Sequence, residues 1–400
     1  LSAGTQYTWF VNATDGYSWN NETFIFTTGE SPVQSSPIPT NQSTGECPNT
    51  LNKLQITIND PDADTFNWTI ETSPNIGSDS GNGENNGTKN CTIAGLTSGT
   101  TYTWFVNSTD GCTWTNKTYI FTSNQAPILS SESPSNQSSN IEKTTSSLNI
   151  TIEDPDGDSF NWTIETSPNV GSDSANGEAN GSKSCSISGL SCGTQYTWFV
   201  NATDGCTWTN GSYTFTTSSA PIISSPNPEN DSTSGLTPIC NITASDPDGD
   251  DLTVIFSENT TDSWVVQHTI NSHTANTSAS WDDYNNASEY ESTYYWKVNI
   301  SDGKGCYDEE IFHFTTISNN PPVLSSENPD NQSTGASTFT SSISITIEDP
   351  EGNFLNWSIE TSPDIGNQSN LSASEANGTK VCSVSSLNPG TTYTWFVNAT

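Results

Sequence analysis

The chain has 400 residues, 45 of them acidic against 8 Lys and Arg, a formal net charge of −37 and 30% hydrophobic residues. That balance excludes nucleic acid as a partner and favours cations and salt-rich surroundings, which screen the self-repulsion. The low apolar content leans towards disorder, but 13 Trp, 12 Tyr and 15 Phe supply enough large rings to hold small cores together.

No stretch reaches the ~18–20 apolar residues of a membrane span, and no basic, apolar leader opens the chain. There is no Met, which reads as a mature or internal portion of a longer precursor. The nine Cys show no Cys-x-x-Cys spacing and no His neighbours, so zinc and c-type haem readings fail and disulfides in an oxidising compartment remain.

In chain order, the first element is the segment Gly4-Thr-Gln-Tyr-Thr-Trp-Phe-Val-Asn-Ala-Thr-Asp-Gly16. It returns from Gly99, from Gly193 and from Gly390, and in diverged form around Tyr294. Its Trp falls at 9, 104, 198, 296 and 395, steps of 95, 94, 98 and 99. A period this long exceeds the helical solenoid repeats and allows each unit its own core. Pro- and Ser-rich links at 29–32, 123–127, 218–221 and 318–322 divide the chain. Residues 1–29 form the C-terminal strands of a partial β-sandwich, 30–123 and 124–217 are two full repeats, 218–316 is a divergent repeat, and 317–400 is a repeat incomplete at its C-terminus. The phase of residue 1 restarts at residue 387, which predicts a longer array in which a block of four domains recurs.

Within one unit the period is two. Leu148, Ile150 and Ile152 alternate with Asn149, Thr151 and Glu153, and Phe160, Trp162 and Ile164 alternate with Asn161, Thr163 and Glu165. Tyr196, Trp198 and Val200 continue the pattern. Asp154-Pro-Asp-Gly-Asp158, Ser167-Pro168, Asn180-Gly181 and Asp204-Gly205 mark the turns. No capped helical period occurs, so the fold class is all-β, with about seven short strands per unit.

Two segments carry a family resemblance. Leu387-Asn-Pro-Gly-Thr-Thr-Tyr393 resembles the fibronectin type III signature in which a Tyr near the start of the sixth strand forms a corner with the preceding loop. Trp395, Val397 and a closing Phe215-Thr216-Thr217 fit that family's last two strands. Ser245-Asp-Pro-Asp-Gly-Asp-Asp-Leu252 is similar to the second-to-third strand turn of fibronectin-like and cadherin-like repeats of archaeal and bacterial surface proteins. The resemblance covers essentially the whole chain and implies tandem seven-stranded immunoglobulin-like sandwiches, beads on a string, at the cell surface. It carries little about function, because such sandwiches host many roles.

Twenty-six of the 45 Asn sit in N-glycan acceptor sequons. They include Asn12, Asn21, Asn41, Asn67, Asn86, Asn107, Asn116, Asn136, Asn149, Asn161, Asn180, Asn201 and Asn210. Further along come Asn230, Asn241, Asn259, Asn276, Asn286, Asn299, Asn331, Asn356, Asn367, Asn370, Asn377 and Asn398. Asn67, Asn161 and Asn356 precede a core Trp and should point outward; Asn86, Asn180 and Asn377 occupy Asn-Gly turns. Phe10, Phe105, Phe199 and Phe396 should also face outward, with Lys297 in their place in the divergent unit. The Trp residues at 68, 162 and 357 and at 104, 198, 296 and 395 read as core. His268, His273 and His313 match no metal-ligand pattern.

Asp60, Asp62 and Asp64 recur as Asp154, Asp156 and Asp158 and as Asp246, Asp248 and Asp250, with Asp110, Asp204 and Asp302 expected at the same pole. Packed carboxylates suit Ca²⁺, while the alternative is an ordinary turn whose side chains bond their own backbone. The fourth copy, Asp349-Pro-Glu-Gly-Asn353, carries less charge. Expected disulfides are Cys91 with Cys112, Cys185 with Cys206 and Cys240 with Cys306. Cys47, Cys192 and Cys382 have no evident partner in their own domains and are either free buried thiols or candidates for cross-links between chains in an assembly.

Catalysis needs a unique constellation, yet carboxylates such as Glu71, Glu165 and Glu360 recur with the repeat, and no nucleophile elbow, Walker loop or zinc-protease helix is present. The expectation is therefore a non-enzyme. Two classes remain open: a self-associating, N-glycosylated extracellular filament, sheath or stalk, and a surface adhesin for carbohydrate or protein. In the second case the ligand site is expected in an extra loop around Trp264 to Trp281.

Overall fold

The computed structural model describes residues 1–400, the side chains of 373 and 374 excepted. Two compact units emerge, Leu1–Ala220 with Lys304–Cys306, and Pro221–Gly303 with Tyr307–Thr400. No helix occurs among the described residues, and none is long and apolar enough to cross a membrane.

The first unit opens with an antiparallel hairpin, Gln6–Thr14 against Trp19–Thr27. It then holds two sandwiches of the same design. In one, a three-stranded sheet ordered Val33–Ile38, Lys53–Asn59, Gly87–Thr92 faces a five-stranded sheet ordered Ser43–Glu46, Trp114–Ser123, Thr101–Thr109, Phe66–Ser73, Asp79–Glu84. In the other, Ile128–Ser133, Ser147–Glu153 and Gly181–Ser186 face Ser138–Ile141, Trp208–Thr217, Gln195–Thr203, Phe160–Ser167 and Ser172–Glu178. This is the strand order of a fibronectin type III or immunoglobulin-like sandwich. One difference from seven strands is that the first strand is split. Its pairing shifts after Ser130, and the second half crosses to pair in parallel with the last strand.

The alternation of residues dictates this packing. Leu148, Ile150 and Ile152 from one sheet and Trp198, Val200 and Ile164 from the other are all 0% exposed and share one core. The equivalent Leu54, Ile56, Ile58, Trp104, Val106 and Ile70 form a separate one. The corner Tyr closes the sixth strand's approach: Tyr102 Oη accepts the Thr97 N–H at 2.8 Å and Tyr196 Oη the Ser191 N–H at 2.9 Å.

The second unit contains two further sheet pairs. Ile222–Asn227, Cys240–Ser245 and Thr277–Trp281 face Ser232–Ser234, Tyr307–Thr316, Thr293–Ser301, Leu252–Glu258 and Val265–His273. The segment expected as a ligand-bearing loop is instead the two strands Val265–His273 and Thr277–Trp281, with Trp281 buried in the core and packed, rings tilted, beside Tyr284. Beyond it, Val323–Asn328, Ser342–Glu348 and Gly378–Ser383 face Gln368–Glu375, Leu355–Ser362 and Thr394–Ala399. Each of the four cores holds one buried cysteine: Cys91, Cys185, Cys240 and Cys382.

Candidate functional site

Three features of this chain lie outside the cores: a pole of acidic loops, a set of covalent cross-links, and a sequon-rich outer face.

In each of the first three sandwiches the second strand ends where the third begins, and the sixth strand ends beside it, so the Asp-rich turn and the Asp-Gly hairpin share one pole. Asn67 pairs with Thr109 and Asn161 with Thr203, which fixes that meeting. In the first sandwich, a Cβ placed on Gly29 lies 3.7 Å from a carboxylate oxygen of both Asp62 and Asp110. The loop also holds the incoming linker, since Asp62 Oδ2 accepts the Glu30 N–H at 2.6 Å. In the second sandwich Asp156 Oδ2 accepts the Gln125 N–H at 2.6 Å, and Asp204 Oδ2 accepts from the Asn124 amide at 2.7 Å.

The lead residue of each loop is almost wholly buried: Asp60 is 2% exposed, Asp154 2% and Asp246 3%. Asp154 Oδ1 accepts the N–H groups of Asp156 and Asp158, while Oδ2 accepts nothing. Burial pushes the Asp154 carboxyl above its ordinary value against those two bonds, and the charges of Asp158 and Asp204 push the same way. Burial also raises Asp204, but bonds from Asn124, Thr207 and Cys206 outweigh it and hold the group below its ordinary value. Carboxylate oxygens of Asp154, Asp156 and Asp158 converge within 4.8 Å, as do those of Asp246, Asp248 and Asp250. Asp302 follows Ser301, which pairs with Thr253, and so lies at the pole of the Asp246 loop. In the Asp349 loop, Glu351 accepts from Asn320, and Asn353 bonds Tyr290 at 2.8 Å.

The cross-links differ from the expected ones. Cys47 bonds Cys206, and Cys192 bonds Cys306, which lies in the short Lys304–Cys306 stretch of the same unit. Cys91 with Cys112, Cys185 with Cys206 and Cys240 with Cys306 do not pair. Cys91 ends its strand at the pole where Thr101–Thr109 begins, while Cys112 lies past that strand's far end. Nine residues separate those poles by about 30 Å, and the same holds for Cys185 and Cys206. Cys91, Cys185 and Cys240 point inward as core residues, whereas Cys112 is exposed. Cys47 and Cys206 belong to successive sandwiches, so the bond spans a joint. The readable signal was that Cys112, Cys206 and Cys306 share one repeat position, just after the sixth strand, where the chain meets its neighbour.

None of the sequon asparagines named above is buried. Asn12 and Asn21, Asn107 and Asn116, and Asn201 and Asn210 stand directly opposite each other on adjacent strands. The turn asparagines are different. Asn180 Oδ1 accepts the Asp154 N–H at 2.7 Å while its Nδ2 donates to the Asp154 carbonyl at 3.0 Å, and Asn86 and Asn377 brace Asp60 and Asp349 in the same way. The outward Phe residues are indeed exposed, Phe10 to 68% and Phe199 to 39%. Lys297 instead lies over the Trp264 ring and pairs with Glu309 at 3.3 Å.

One repeated feature was not foreseen. Lys89, Lys183 and Lys380 are nearly buried and each pairs with a Glu five residues earlier. Lys183 bonds Glu178 at 2.7 Å and the Ala179 carbonyl at 2.9 Å, and sits 5.4 Å from the centre of the Phe160 ring. Recurrence in a chain with so few lysines was the signal that could have found it.

No protein-family model matches the chain, and no curated protein matches it. Among solved structures, titin domains I67–I69 are similar over 72% of this chain and 99% of theirs, at 11% identity and a TM-score of 0.35. Fibronectin(III)-like modules of Clostridium thermocellum CbhA are similar over 48% and 95%, at 14% identity and a TM-score of 0.21. Drosophila N-cadherin EC1-4 is similar over 80% and 85%, at 12% identity and a TM-score of 0.28.

Proposed function

We propose that this chain is a segment of an extracellular filament, sheath or surface stalk, built from stiffly joined, N-glycosylated sandwiches that associate with further copies. The observation that carries the reading is the bond between Cys47 and Cys206. A cross-link inside one sandwich would stabilise that sandwich; one between neighbours restricts the joint instead. Domains linked by a short segment move relative to each other by default, and here that freedom is removed several times over. Besides the disulfide, Asn124 donates from its backbone to the Glu46 carbonyl at 2.9 Å and from its side chain to Asp204, so the linker is bonded on both sides.

Two disulfides suit an oxidising, extracellular setting. Sequons spread over exposed faces suit a glycan coat, which shields backbone from proteases. Repeated faces with no unique constellation suit a scaffold rather than a catalyst. Electron microscopy of the native material, joined to glycopeptide mass spectrometry, tests this. Filaments with a regular axial repeat and occupied sequons are expected. Isolated rods ending in a distinct head favour the adhesin reading, and bare, compact particles overturn both.

A further inference from the structure

We propose that the loop Asp154-Pro155-Asp156-Gly157-Asp158 binds a hard divalent cation of the calcium class at the joint between the two sandwiches of the first unit, and that the loop Asp246–Asp250 is a second copy of that site. The inference does not depend on the filament reading.

The argument starts from one oxygen. In an ordinary Asp-Pro-Asp-Gly turn the lead carboxylate spends itself on the backbone of its own loop. Asp154 does so with Oδ1, which accepts from Asp156 at 2.9 Å and from Asp158 at 3.2 Å. Its Oδ2 is equally buried and receives no donor. A buried acceptor left unmet is costly, and a charged one more so. The turn therefore explains half of the carboxylate and leaves the other half unmet.

Around the Asp154 carboxylate more negative charge gathers. One oxygen from each of Asp154, Asp156 and Asp158 lies within 4.8 Å of the others. Among the described residues no lysine forms an ion pair with any of the three. Asp204 stands close enough to act on Asp154 electrostatically, with its own Oδ2 held by Asn124. Oxygens coordinating Ca²⁺ at about 2.4 Å are at most about 4.8 Å apart, so the spacing fits that ion. A cation here supplies the missing partner of Oδ2 and cancels the repulsion together.

The burial, the unmet lead oxygen and the convergence recur in a second loop. Asp246 is 3% exposed, its Oδ1 accepts from Asp248 and Asp250, its Oδ2 is unmet, and its three carboxylates converge as closely. The Asp60 and Asp349 loops lack that convergence, and in the latter Glu351 and Asn353 replace two of the acids. Two sites per chain are thus expected, not four. Because Asp156 also accepts the Gln125 N–H of the linker, an ion in the first site ties the linker to the sandwich it enters.

The test uses the full, oxidised chain after chelator treatment, titrated with CaCl₂ by isothermal calorimetry at about 0.15 M salt, where diffuse attraction to the acidic surface is screened. Two saturable sites are expected, with dissociation constants on the order of 10⁻⁴ M or tighter. Asp158→Asn and Asp250→Asn each keep the turn, since the lead Asp makes the backbone bonds, and each should abolish one site. Their folding is checked by native burial of the core cysteines. Absence of a saturable isotherm up to about 10 mM, or two sites surviving in both folded variants, overturns the proposal.

Discussion

Replacing Tyr196 by Phe removes only the hydroxyl that accepts the Ser191 N–H at 2.9 Å, and leaves the ring stacked on Phe215 at 5.4 Å. Tyr196 is 3% exposed, but Ser191 lies at the surface, so water reaches the freed N–H. The expected cost is one net hydrogen bond, about 1 kcal/mol, rather than the penalty of a sealed orphan donor. With a urea dependence of about 1–2 kcal/mol/M for a domain of this size, the midpoint falls by about 0.5–1 M. The four buried thiols make the measurement domain-specific. In urea, the full chain is pulsed with a maleimide and digested, so that Cys185 reports the mutated core and Cys91, Cys240 and Cys382 the others. A shift confined to Cys185 is expected. An unmoved Cys185 refutes the corner bond as a stabilising contact, and an equal shift at all four refutes the claim that each core is self-sufficient.

Without denaturant, the same reagent should label Cys112 alone, because burial shelters the other thiols and pushes Cys240 up to about 12. Non-reducing peptide maps should show Cys47 joined to Cys206 and Cys192 to Cys306; a Cys185–Cys206 peptide would contradict the structure. The Lys380 and Asn370 bonds hold the Glu375 carboxyl below its ordinary value of 4.5. Its stabilising effect is therefore present above that value and lost as pH falls through the lower folded one. The urea midpoint at Cys382 should drop with acid in the parent and less so in Glu375→Gln, and parallel curves would exclude the pair as the cause. Finally, a sugar on Asn180 Nδ2 would replace a hydrogen used to brace Asp154. Glycopeptides should show Asn86, Asn180 and Asn377 empty beside occupied Asn67 and Asn161, and full occupancy at Asn180 would show the brace to be dispensable.

Much of this architecture is legible in the residues because local rules and packing agree. Alternation in Leu148–Ile152 and Tyr196–Val200 fixes which side chains enter the core, and the corner Tyr and the shared pole of the acidic loops follow from strand order. The disulfides were not legible, for a definite reason. A repeat invites the assumption that cysteines copied together pair together, and Cys91 and Cys112 are copied as Cys185 and Cys206. Their real partners come from unlike places on a neighbour. Cys47 follows a short edge strand and Cys192 precedes the sixth strand, so no period relates them. Core lysines escaped notice because a charge in a strand is usually read as solvated. Only the arrangement of Glu178, the Ala179 carbonyl and the Phe160 face explains why Lys183 can sit where an apolar residue would be expected.

The contrast between copied cores and individual joints bears on how such an array works. The core residues Trp104 and Trp198, or Ile58 and Ile152, are copied from one sandwich to the next. The residues where the linker enters are not. Asp62 takes the Glu30 N–H and Asp156 the Gln125 N–H, whereas the Asp349 loop uses Glu351 for Asn320 and Asn353 for Tyr290. A disulfide reaches the second sandwich's hairpin loop at Cys206 but leaves Cys112 of the first exposed. Both acidic turn and hairpin lie at the pole where the linker arrives, so substitutions there alter the joint without touching the alternating strands. The linkers are accordingly held in different ways, by a disulfide or by hydrogen bonds, while every sandwich keeps the same fold.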